Sequence, residues 1–183
     1  MRKVVAAINM TIDGYCDHTA IDPDDEIHRH YQVLLESADT IVYGRITFQL
    51  MQFWEDLIKN PSGDPVMDDF ARVIDNMPDK VVFSRTLTQL TWRNSRIAKQ
   101  SLAEELGELR KQSGKNILIG SRSLIIQALN QGLVDEFQLC IHPAMVGNGL
   151  PLFDAIDTKI HVNLAKTKTF RSGAVVCYYE PMK

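Results

Sequence analysis

Three arginines follow short apolar runs. Arg45 comes after TIVYG (40–44), Arg85 after KVVFS (80–84) and Arg122 after NILIGS (116–121). Each sits among small or hydroxylated residues: Gly44 and Thr47, Ser84 and Thr86, and Gly120, Ser121 and Ser123. A guanidinium fork matches two phosphate oxygens at once. Small residues let a ligand approach the backbone, and the free N–H groups at a helix start favour anions. One arginine after a strand is ordinarily a solvated surface residue. Three at the carboxyl ends of parallel strands would share the edge where open α/β sheets bind ligands. The pattern predicts a site for an anion carrying several phosphates. It does not separate a nucleotide from a sugar phosphate, because neither GxGxxG nor GxxxxGK[ST] occurs.

The elements that would hold these residues are readable from periodicity. Strands are predicted at 3–9, 40–44, 80–84, 116–119 and 134–143, with a further one at 90–95. Between them lie helical patterns. The first is opened by Asp22-Pro23 as N-cap and first helical residue, with Asp24, Asp25 and Glu26 in its first turn. The second covers 45–54, with Ile46, Leu50 and Phe53 on one side. The third carries Phe70, Val73, Ile74 and Met77, and Pro78 ends it. The fourth is opened by a Ser101/Glu104 capping box, and the fifth runs from about 122 until Gly132 ends it. Alternating strands and helices imply a parallel sheet covered on both faces. The runs 160–170 and 174–180, joined at Arg171-Ser172-Gly173, predict an antiparallel hairpin at one edge.

Composition narrows the function classes. The chain has 183 residues, 45% hydrophobic and 23% charged, with a net charge of −3, as expected for one globular domain over 1–183. That charge argues against a broad nucleic-acid-binding face. No run approaches the length of a membrane span. Cys16, Cys140 and Cys177 are widely spaced with no CxxC pair, which suits reduced thiols and a cytoplasmic location. His28 and His30 are two apart on a helix and do not share a face, so no metal site is expected. Phe48, Phe53 and Trp54 are core residues or the wall of a pocket for a flat ring.

NMTIDGY, YGRITFQ, KVVFSRTL, ILIGSRSLIIQAL, GLVDEFQLCIHPAMVGNGLPLF and FRSGAVVCYYEP occur in this order along nearly the whole chain. In them the sequence resembles the dihydrofolate reductase-like superfamily. Within it, the chain is most similar to the riboflavin-biosynthesis (RibD) C-terminal reductase domain family and its stand-alone bacterial members. The resemblance implies a three-layer α/β/α dihydrofolate reductase-like fold with a mostly parallel central sheet and an antiparallel C-terminal hairpin. It also implies NADPH as cofactor, a small-molecule substrate and a homodimer.

By resemblance, Gly44, Arg45 and Thr47 would meet the phosphate region. Ser84, Arg85 and Thr86 would lie near the adenosine ribose and its 2′-phosphate. Gly120, Ser121, Arg122 and Ser123 would cradle the pyrophosphate, and Ala7 and Ile8 would flank the nicotinamide. The family commonly has two glycines where this chain has Gly120-Ser121. The Cβ of Ser121 could crowd the phosphate, or its hydroxyl could donate to it. Dihydrofolate reductases keep an acid on the first helix at a spacing that lands here near His28, with Asp25 and Glu26 close by. Asp25, His28 and Trp54 are therefore candidates for the substrate pocket. Asp13, before Gly14, is a family hallmark bordering the nicotinamide site and the candidate catalytic acid. The leading expectation is an NADPH-dependent reductase of a small, pteridine- or pyrimidine-like heterocycle by hydride transfer. The alternatives are a nucleotide-binding protein with this fold lacking turnover, and a structural dimer whose arginine edge binds nothing specific.

Overall fold

A computed structural model describes residues 1–182. Eight strands form one sheet in the order β4-β3-β2-β5-β1-β6-β8-β7. They are β1 (Val4–Thr11), β2 (Ala38–Gly44), β3 (Asp79–Phe83), β4 (Ser95–Ile97), β5 (Asn116–Ile119), β6 (Glu136–His142), β7 (Val162–Thr169) and β8 (Val175–Pro181). The first six in that order run parallel. The helices are α1 (Asp25–Glu36), α2 (Arg45–Lys59), α3 (Pro65–Asp75), α4 (Leu102–Lys111) and α5 (Arg122–Asn130).

The central strands are apolar on both sides because both faces are covered. Val4, Ala6, Val42, Ile117 and Ile119 face Leu102, Leu106 and Leu109 of α4 and Ile125 and Leu129 of α5. Val5, Ile41, Tyr43, Val82 and Leu118 face the opposite way, toward Leu34 and Leu35 of α1, Phe48 and Trp54 of α2, and Phe70 and Ile74 of α3. This is the three-layer dihydrofolate reductase-like arrangement.

Several boundaries differ from the sequence reading. The N-cap of α1 is Asp24, which accepts from the Ile27 N–H, and not Asp22. The run 90–94 is a loop, and β4 begins at Ser95. Trp92 is drawn out of strand geometry by burial: its Nε1 donates to Asp75 Oδ1 at 2.8 Å, and Lys80 Nζ stands 4.8 Å over its ring. Lys80 is itself buried and donates to the carbonyls of Asp75, Met77 and Arg93. These bonds take up free carbonyls after α3 and clamp the loop that follows Ser84-Arg85-Thr86. On α2, the stripe of Ile46, Leu50 and Phe53 faces solvent, with Ile46 65% and Phe53 53% exposed. The helix packs instead through Phe48 and Trp54.

The hairpin joins the sheet antiparallel to β6 through β8. β7 lies outermost and is exposed along its length. Its Lys166 and Lys168 lie 4.3 and 4.8 Å over the rings of Tyr178 and Phe170. The same two rings, with Tyr31, surround His30 of α1. Burial, then the charges of Lys168 and Lys166, depress the His30 pKa from 6.5 to about 4.

A histidine neutral in the fold but protonated when unfolded costs stability as pH falls. The loss starts below the unfolded value of 6.5 and is complete near 4. His30→Leu should flatten that part of the profile, read as the urea midpoint between those two pH values. A variant whose midpoint falls as steeply as that of the original chain would remove His30 as the cause.

Candidate functional site

Five helices start in two different ways. α1 is capped by the Asp24 carboxylate, α3 by Asp64, and α4 by the Ser101/Glu104 box. Each of these three also carries an acid in its first turn. α2 and α5 have no side-chain cap and no acid in the first turn. Those two helices leave β2 and β5, which are neighbours in the sheet. Their free N–H groups therefore open side by side at one edge, each end with the partial positive charge of a helix start.

Ser121 explains how the two corners stay together. It is the N-cap of α5, yet its hydroxyl does not cap α5. The Oγ accepts instead from the backbone N–H of Gly44 at 2.7 Å. A Cβ at Gly44 would stand 3.6 Å from that Oγ, in ordinary contact, so Gly44 is not needed for space there. Ser121 is 2% exposed and lies beneath the Gly44 corner. Its hydroxyl accepts from Gly44 and keeps its own proton to donate.

A cleft of about 300 Å³ opens at this edge, lined by Gly44, Arg45, Ile46, Thr47, Phe83, Ser84, Arg85, Thr86, Ser123 and Leu124. Arg85 and Thr86 are exposed on a turn in which Ser84 Oγ accepts from the N–H groups of Thr86 and Leu87. Arg45 is exposed, and its Nη1 donates to Gln49 Oε1 at 2.9 Å. Ala7 and Ile8 are half-buried on β1. Since Ala6 pairs with Ile119, they lie level with Gly120 and Ser121.

Arg122 is a correction. Its side chain does not join Arg45 and Arg85 in the cleft: Nε donates to the Pro151 carbonyl at 2.8 Å, and the guanidinium pairs with Asp154. The nearby carbonyl and carboxylate draw it toward the 143–161 loop. Only its backbone N–H remains at the helix start.

Asp13 also does other work. Its Oδ2 accepts from the N–H groups of Val146 (2.9 Å) and Gly147 (2.7 Å), and its Oδ1 accepts from Thr11 Oγ1 (2.6 Å). The Thr11 and backbone hydrogen bonds hold its pKa below the ordinary 3.8. With these bonds Asp13 braces two loops against each other. Asp17 repeats the device on the Leu150 N–H. Gly149, at φ +146°, passes so close that an added Cβ would strike that carboxylate.

The three substrate-pocket candidates separate. Asp25 is exposed and pairs with Arg29 at 3.9 Å, on the outer surface of α1. Trp54 is buried against Phe70, with ring centroids 4.5 Å apart, and belongs to the core between helices. His28 is half-buried with its ring edge-on to both Trp54 and Phe70, and its Nδ1 lies 3.1 Å from the Asp24 carbonyl. A group that sequence reasoning missed lies nearby: Asn9 Oδ1 meets Tyr31 Oη and His142 Nε2, each at 2.9 Å. These partners are 22 and 133 residues from Asn9, so no local spacing marks them. Cys140 lies 3.4 Å from the same His142 nitrogen, and burial pushes its thiol up to about 12, which keeps it protonated. Among the described residues no group of three or more His, Cys, Asp or Glu could hold a metal ion. No helix there is long and apolar enough to cross a membrane.

The family of the RibD C-terminal domain matches residues 2–176, and the chain belongs to that family. Uncharacterized protein YyaP of Bacillus subtilis (strain 168) is 35% identical, over 97% of this chain and 94% of that relative. Among solved structures, a pyrimidine reductase-like protein of Corynebacterium diphtheriae matches at 17% identity with a TM-score of 0.67, covering 100% of this chain and 92% of that one. Acinetobacter baumannii RibD matches at 15% identity with a TM-score of 0.72, covering 100% of this chain and 58% of RibD. These structural likenesses carry the fold.

Removing the Ser121 hydroxyl leaves the part-buried Gly44 N–H without its acceptor. Ser121→Ala should lower unfolding stability by about 1–3 kcal/mol, measured by urea denaturation. An unchanged stability would mean that the two corners are not held by this bond.

Proposed function

We propose that the protein is an NADPH-dependent reductase of a small heterocyclic molecule. The observation that carries this reading is the pair of uncapped, acid-free helix starts, α2 and α5, joined at Ser121–Gly44 beside a cleft rimmed by Arg45 and Arg85. Side-by-side helix starts supply N–H donors for two linked phosphates. Membership of the RibD C-terminal domain family supports the reductase class.

The residues fit a dinucleotide in a definite order. The starts of α2 and α5 would hold the pyrophosphate through backbone N–H groups. Arg85, with Ser84 and Thr86, would hold the 2′-phosphate at the far side of the cleft. The nicotinamide would lie toward Ala7 and Ile8, level with Gly120. When bound, NADPH supplies the hydride. The chain's own residues would set the ring beside Ala7 and Ile8, and the joined loops over 12–24 and 143–161 would form its rim. The homodimer is part of the same reading.

A binding protein without turnover is the second reading, favoured by the state of Asp13: it is engaged with the loop and held ionised. NADPH oxidation in the presence of pyrimidine or pteridine acceptors separates the two.

Calorimetric titration should show NADPH binding to the original chain. Arg85→Ala removes a charge-assisted phosphate contact of about 1.5–3 kcal/mol. NADPH affinity should therefore fall by about tenfold or more, with NADH affinity nearly unchanged. Equal losses for both nucleotides would take Arg85 out of the 2′-phosphate role. No binding of either nucleotide would end the cofactor reading.

A further inference from the structure

We infer that Asn9 sets the specificity of the site, its side-chain N–H₂ donating to an exocyclic carbonyl oxygen of the molecule to be reduced. This rests on the NADPH reading above.

The argument is a count of protons. Tyr31 carries one hydroxyl proton, and Asn9 is its only partner among the described residues. This half-buried phenol on α1 donates its proton to the atom 2.9 Å away, so the amide atom facing it is the oxygen. Burial raises the Tyr31 pKa well above 10.0, so the proton stays in place. The same oxygen meets His142 Nε2 at 2.9 Å. Burial lowers the His142 pKa from 6.5, so its ring is neutral near pH 7. With the amide oxygen set by Tyr31, the His142 ring proton belongs on Nε2, facing Asn9 Oδ1 at 2.9 Å and, more distantly, Cys140 Sγ at 3.4 Å.

Two donors from two different elements, α1 and β6, thus fix the amide in one orientation. Its Nδ2 has no protein acceptor among the described residues, and Asn9 is half-buried and in reach of a ligand. Position agrees with this role. Asn9 lies two residues beyond Ala7 on β1, roughly 7 Å further along the strand. Along the strand Ala7 and Asn9 point to the same face, that of α1. A ring stacked beside Ala7 would leave Asn9 level with the next ring. Tyr31, His142 and the Asn9 amide are all neutral, so the contact selects an acceptor and not a cation.

Asn9→Asp tests this, because one carboxylate oxygen still accepts from Tyr31 and His142 while the outward N–H₂ is replaced by an ionised oxygen that only accepts. The probes are uracil and the analogue in which amines replace both ring carbonyls, at a pH where both are neutral. Their dissociation constants are read by ligand-observed NMR on NADPH-loaded protein. The original chain should prefer uracil by about tenfold, the worth of one hydrogen bond, and Asn9→Asp should reverse the preference. The same preference in both proteins overturns the assignment, as does binding of neither ring by NADPH-loaded original chain. NADPH affinity, measured separately by calorimetry on both proteins, reports on the cofactor reading alone.

Discussion

Two helix starts of like sign stand next to each other in this fold, and the bond from the Gly44 N–H to Ser121 Oγ holds them there. Each start carries the equivalent of about half a positive charge. The other three helices offset theirs with a capping oxygen and first-turn acids. α2 and α5 have neither. Their charge is left for something outside the chain, and arginines at 45 and 85 add to it. The sheet order explains why the two starts meet: β2 and β5 are neighbours although 71 residues of chain lie between Gly44 and Asn116. Parallel pairing with short corners then brings their carboxyl ends to one edge.

The second organising feature is the strap between the loops that follow β1 and β6. Asp13 and Asp17 accept from backbone N–H groups at 146, 147 and 150. Backbone bonds from Ile12 to Ala144, Cys16 to Leu150 and Leu152 to Gly14 close the same pair. Arg122 joins this assembly to the start of α5 through Pro151 and Asp154. A ligand that draws on the α5 N–H groups thus touches an element tied directly to the loop rim. The departure of Arg122 from the cleft is what makes that link.

Much of the fold was legible because central strands buried on both faces leave an unbroken apolar signature, as in NILI at 116–119. The Ser101/Glu104 box marked α4 for the same local reason. Trp92 was not legible as a loop residue. Its placement depends on Lys80 and Asp75, and alternation with Leu90 imitates a strand. The exposed stripe Ile46, Leu50 and Phe53 was read correctly as one helix side, but periodicity does not say which side faces the core. At the site, residues adjacent to strand ends could be placed from topology, which is why seven of those expected near cofactor line the cleft. Side-chain direction could not: Arg122 and Asp13 are claimed by loops remote in sequence. The Asn9, Tyr31 and His142 group is made entirely of long-range contacts and left no local pattern to read.

The central claim is that the free backbone N–H groups of α2 and α5 together hold one dinucleotide. Backbone amide NMR on the labelled chain during an NADPH titration tests it most directly. The account predicts large, jointly saturating shifts at the amides of 45–47 and 122–124, with the capped starts of α3 and α4 unmoved. Saturation of binding with those two sets of amides unshifted would contradict it.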